Sequence, residues 1–211
     1  MLETLAFLIS GIVFGLSAGI SPGPLLALVV SETLKFGKKE GIKVAIAPLI
    51  TDLPIILITI IISAKLSKVN FLFGVLSLIG GLFLFYLAYE NIKIRKFNFR
   101  IKKNETSSLK KGIASNFLNP HPYLFWLFVG APILFKSYDL TILATVLFVL
   151  SFYICLVGSK ILIVLAVEKS RNFLRGPIYV HTVRIIGILL LIFAVLFIKD
   201  GLTYLDINIF Q

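Results

Sequence analysis

Charged residues fall at intervals along this chain, and between them run long apolar stretches. Residues 4–31 carry no charge, and residues 44–64 carry only Asp52. Residues 69–89 and 112–135 carry none. Residues 140–159 are uncharged, Lys160 follows, and residues 161–167 continue apolar. Residues 176–198 carry only Arg184. A helix crossing a bilayer needs about 20 apolar residues. The pattern therefore predicts six membrane-spanning helices. One long loop, about residues 92–110, joins the third to the fourth.

Composition supports that pattern. The chain has 211 residues, 58% of them hydrophobic and 15% charged, and its mean hydropathy is +1.01. Soluble domains average about 45–50% apolar and about 25% charged. A soluble enzyme, a disordered chain and a disulfide-stapled module are excluded. Cys155 is the single cysteine, so an internal disulfide cannot form. The chain begins Met1-Leu2-Glu3 and has no Lys or Arg before Lys35. The first segment is thus expected to be a retained span rather than a signal peptide.

The net charge is +11, and its distribution sets an orientation. Lys35, Lys38, Lys39 and Lys43 share one side with the cations of residues 93–111 and with Lys169, Arg171 and Arg175. Lys65, Lys68, Lys136 and Lys199 share the other. The richer side is expected to be cytoplasmic, which puts both termini outside a plasma membrane. The charge reflects the bilayer, and no nucleic-acid partner is expected. The sequon at Asn104-Glu105-Thr106 falls in the most basic loop and is read as chance.

Six spans divided by a central loop make two halves of three. Three is odd, so the halves have opposite orientation. The expected fold is an all-α polytopic membrane protein with six helices in a 3+3 inverted repeat. It forms one domain over 1–211. The first repeat covers about 1–91 and the second about 111–200, with a tail at 201–211.

Two spans carry proline motifs: Ser21-Pro22-Gly23-Pro24 in the first and Asn119-Pro120-His121-Pro122 in the fourth. Proline inside a helix removes a backbone donor and clashes with the preceding turn. Ser or Asn followed by Pro suits a helix start. Each motif is read as one helix ending and another beginning. The first lies eight to eleven residues before Glu32, and the second eight to eleven after Lys111. That is roughly 12–16 Å, half of a ~30 Å hydrocarbon core. Matching interrupted segments in two halves point to a transporter binding site. A helix N-terminus with free N–H groups can hold an anion such as a carboxylate. The expected substrate-binding residues are Ser21, Pro22, Gly23, Pro24, Asn119, Pro120 and His121.

Asp52 lies nine residues beyond Lys43, at the same depth, between Pro48 and Pro54. An intramembrane acid is costly when ionised and is usually functional. Asp52 is a candidate for a coupling proton, for a bound cation or for a substrate ammonium. Lys160 and Arg184 are expected to snorkel to the cytoplasmic face, although an ion pair between Asp52 and Lys160 stays open. Gly11, Gly15 and Gly19 make a small-residue face for packing within the bundle, with a homodimer contact as its alternative use. Trp126 and the tyrosines show no clear chemistry. No metal site or cofactor is expected.

These motifs resemble the LysE/RhtB family of amino-acid exporters in the LysE superfamily. Ser21-Pro22-Gly23-Pro24 is similar to the family's Pro-Gly-Pro motif. Gly41 through Asp52 resembles its small-residue helix with an acidic residue. Gly80-Gly81 through Tyr86-Leu87-Ala88-Tyr89 looks like its third span. Asn116-Phe117-Leu118-Asn119-Pro120 looks like its Asn-Pro motif. The resemblance runs from about Phe14 to Pro132. Pro48, and His121-Pro122 after the Asn-Pro, depart from the pattern. The resemblance implies an exporter of amino acids or similar solutes, driven by a proton or sodium gradient. A thiol-reductant conductor would need cysteines in both broken helices, and Cys155 is in neither. A metal-ion exporter remains the transport alternative, and a membrane scaffold subunit the non-transport one. No nucleophile–base pair suggests an intramembrane enzyme.

Overall fold

The computed structural model describes residues 2–66, 70–93, 107–169 and 177–205. Most of the basic loop, the sequon at Asn104, Arg171, Arg175 and the tail from Asp206 lie outside them. The described residues are helical and include no strand. Among the described residues, four helical stretches are long and apolar enough to cross a membrane: Glu3–Ile20, Lys38–Ile61, Ile142–Lys169 and Val180–Tyr204.

The helices are α1 (Leu2–Ile20), α2 (Pro24–Phe36), α3 (Lys38–Ala45), α4 (Ala47–Leu66), α5 (Asn70–Lys93), α6 (Ser108–Phe117), α7 (Pro120–Phe125), α8 (Ala131–Leu140), α9 (Ile142–Lys169) and α10 (Pro177–Tyr204). A π-helical turn, Trp126–Gly130, joins α7 to α8. Gly37 separates α2 from α3 at φ 87°, where a side chain would be strained. Thr141 starts α9, its hydroxyl accepting from the Ala144 amide at 3.1 Å.

Two helix pairs dominate the packing: α1 on α9, and α5 on α10. Glycines set the first. A Cβ at Gly11 would meet Phe148 and Ser151, one at Gly15 would meet Phe152 and Cys155, and one at Gly19 would meet Leu156 and Ser159. The residue numbers rise together, so the two helices run parallel. The glycine face therefore packs inside the bundle. Between α5 and α10 the numbers run oppositely: Gly74 lies against Gly201, Gly81 against Ala194, and Gly187 against Ala88. On the remaining side α6 packs on α3 and α4, with Gly112 close to Val44 and Ala47.

The buried core is largely aromatic. Phe14, Trp126, Phe148 and Phe152 are all but fully enclosed. Phe125 stacks on Phe152 at 5.3 Å, and Trp126 meets Phe152 edge-on at 5.2 Å. Apolar residues also cover much of the outer surface, including Leu53, Ile61, Phe71, Leu82, Ile154 and Leu162. An apolar exterior of this kind is what a bilayer requires.

Candidate functional site

The helix boundaries follow the prolines. Helix α1 stops at Ile20 and α2 starts with Pro24 at its first position, flanked by Gly23. Helix α6 stops at Phe117 and α7 starts with Pro120 behind Asn119. The two starts differ in one respect. Asn119 caps its helix, accepting from the His121 amide at 3.1 Å. Ser21 does not cap: Gly23 takes the cap position, without a side-chain bond. The helix waits for Pro24, which leaves Ser21 outside it. The Ser21 hydroxyl donates instead to Asn91 on α5 at 2.9 Å.

The caps decide which end keeps free donors. At α7, Pro120 and Pro122 carry no N–H, the Asn119 amide bonds Asn116 at 3.2 Å, and His121 bonds the Asn119 side chain. The two prolines and the Asn119 cap thus leave few free donors at this helix start. At α2 only Pro24 lacks its N–H. The Gly23, Leu25 and Leu26 amides have no hydrogen-bond partner among the described residues.

Both motifs line one cavity of about 280 Å³. Ser21, Pro22, Gly23 and Pro24 border it on one side, and Asn119, His121 and Pro122 on another. Pro120 is not part of its wall. Asp52, Asn116, Trp126 and Lys160 form its polar end, and Glu90 lines it near the end of α5. A Cβ on Gly23 would meet nothing within 4 Å, so the backbone there is open to the cavity. The His121 ring lies near Phe83 and Tyr86, with centroids 6.2 and 6.1 Å away.

Asp52 is buried at 4% exposure. Its Oδ1 accepts from the Asn116 amide at 2.8 Å and faces the Thr51 hydroxyl at 3.5 Å. Asn116 also donates to Thr51 at 2.6 Å. Trp126, Tyr153 and Lys160 interact with the same carboxyl. The π turn helps to place Trp126. Its ring packs on Gly130 so closely that a Cβ there would overlap it, and π turns recur at functional sites.

Lys160 does not snorkel. It is 2% exposed, and its ammonium donates to the Ala18 and Gly19 carbonyls at 2.9 and 3.0 Å. Helix α1 ends inside the protein, and its last carbonyls need partners. A cation at that negative end is favourable, which outweighs the pull of the distant interface. Arg184 is exposed on α10.

A second polar cluster lies between α2 and α6. Glu32, 1% exposed, accepts from Ser108 at 2.6 Å and from Lys111 at 3.0 Å. Glu32 and Lys111, read from sequence as the ends of two spans, are thus joined.

Several of these residues escaped sequence reasoning. Asn116 carried a signal, since it lies one helical turn before Asn119. Asn91 carried a weaker one, as an amide near the end of an apolar helix. Trp126 and Tyr153 carried none, because aromatic residues are common throughout the chain.

The family model of the LysE type translocators matches residues 16–201. The chain belongs to this family. No curated protein and no solved structure gives a match. As a LysE type translocator it is a multi-pass membrane protein that moves small solutes, and its apolar helices agree with that assignment.

Proposed function

We propose that this LysE type translocator is a secondary exporter of amino acids or related small solutes, driven by a proton or sodium gradient. The observation that carries the reading is one cavity bordered by both proline motifs and by Asp52. In this reading the free amides at the start of α2 take the substrate carboxylate, next to Ser21, Pro22, Gly23 and Pro24. Asn119 and His121 contact the solute from the opposite wall, while Pro120 shapes the helix start behind them. Asp52 carries the coupling step, held by Asn116 and Thr51.

The architecture that goes with this reading has six spans. The pairs α1–α2, α3–α4 and α6–α8 each make one, and α5, α9 and α10 make the others. The first and fourth are then broken at their proline motifs near the membrane midplane. The parallel pairing of α1 with α9 is matched by α6 on α3 and α4. That correspondence is the one expected of a 3+3 inverted repeat. The protein lies in the plasma membrane with both termini outside.

The test is counterflow of a labelled amino-acid panel in proteoliposomes. At least one amino acid should exchange, and Pro22→Ala should impair that exchange while the protein still inserts. If divalent cations move and no amino acid does, the reading is overturned in favour of metal export.

A further inference from the structure

Lys160 is the feature that this mechanism leaves unused. A buried ammonium is costly unless its partners replace water. Here two carbonyls of the α1 terminus accept from it at 2.9 and 3.0 Å, and Asp52 lines the same cavity. Ser17 is already satisfied, its carbonyl accepting from the Ser21 amide at 3.0 Å. The open carbonyls of an interrupted helix, next to a buried acid, are the type of oxygen site at which transporters hold a coupling cation. In this protein a side chain occupies that place.

We propose that the Lys160 ammonium is a tethered cation that fills the carbonyl site at the end of α1, so that this carrier binds and requires no alkali metal ion there. The proposal rests on the exporter reading for its role in transport, but the site itself is defined by geometry alone. Three features favour it. The ammonium has three donors, and two are spent on the carbonyls. Lys160 reaches them from α9, the helix on which α1 is packed by Gly11, Gly15 and Gly19, so the distance is held by that contact. Lys160 also lines the cavity, so its positive charge repels a metal ion that would approach these carbonyls.

Two measurements test it. The first uses purified protein in detergent, with thermal unfolding and ²²Na⁺ binding followed in sodium and in choline at equal ionic strength. The wild type should bind no ²²Na⁺ and unfold at the same temperature in both salts. Lys160→Ala should unfold earlier in choline, and sodium or methylammonium should raise its midpoint saturably, because a ligand that binds the folded form stabilises it. The apolar filler Lys160→Met should gain no such response. A saturable sodium response in the wild type overturns the proposal, and so does a folded Lys160→Ala that ignores every added cation.

The second measurement needs no variant, so it stands even where Lys160→Ala does not fold. Wild-type counterflow should run at the same rate with sodium absent from both faces. A loss of flux without sodium overturns the proposal. If no amino acid exchanges at all, the exporter reading fails, while the ²²Na⁺ and unfolding data still decide the role of Lys160.

Discussion

Asn116 donates its side-chain amide to the Asp52 carboxyl at 2.8 Å. The bond crosses from α6 to α4 and joins the acidic helix to the one that leads into Asn119-Pro120. Asp52 is therefore held by a donor from the other half of the chain. Any movement of α6 against α4 changes the surroundings of this carboxyl.

Asp52→Asn keeps the shape and can still accept from Asn116, but it cannot switch between charged and neutral forms. Gradient-driven export should be abolished with expression and folding near normal. Downhill exchange should persist, since exchange needs binding and no net proton step. Wild-type rates under an imposed pH gradient in Asp52→Asn liposomes would remove Asp52 from the mechanism.

Asn116→Ala removes the donor that Asp52 and Thr51 share. Leaving buried polar groups without a partner costs about 1–3 kcal/mol. The variant should unfold earlier in detergent and transport poorly. Unchanged stability together with unchanged flux would show that this bond has no role.

Gly15 and Gly23 separate packing from binding. A Cβ at Gly15 lies 2.9 Å from the Cys155 Cβ and meets the Phe152 carbonyl. Gly15→Ala should reduce folded yield, as overpacking costs about 1–3 kcal/mol. At Gly23 nothing lies within 4 Å, so Gly23→Ala should fold normally and lose transport. Size-exclusion profiles and counterflow read the two effects apart.

Glu32→Gln leaves Lys111 beside a neutral partner between α2 and α6. Breaking a buried pair costs about 3–5 kcal/mol, reduced here because the Lys111 side chain keeps 16% exposure. The double variant Glu32→Gln, Lys111→Met should recover part of the loss in a thermal unfolding cycle. An additive cycle would mean that the pair contributes nothing.

Orientation is testable with single cysteines in a Cys155→Ser background. A cysteine at Lys103 should be shielded from an impermeant reagent added outside, and one at Lys199 should react. Reversed labelling would invert the topology.

Apolar run lengths and proline positions were enough to place the long helices and the helix starts at Pro24 and Pro120. Both are local properties: an apolar run must be hidden from water, and a proline cannot donate a backbone bond wherever it lies. Asp52 stood out for the same reason, as a lone acid inside such a run. Its partners were not legible, because Asn116 lies 64 residues away in sequence. Lys160 looked like an interfacial lysine until α9 was packed on α1, which brought it to carbonyls 141 and 142 residues away. The difference between the two helix starts was hidden as well, since Ser21 and Asn119 are equally good caps by type. Tertiary structure decided it: α2 starts only at Pro24 with Gly23 at the cap position, so Ser21 lies outside the helix and its hydroxyl donates to Asn91 on α5.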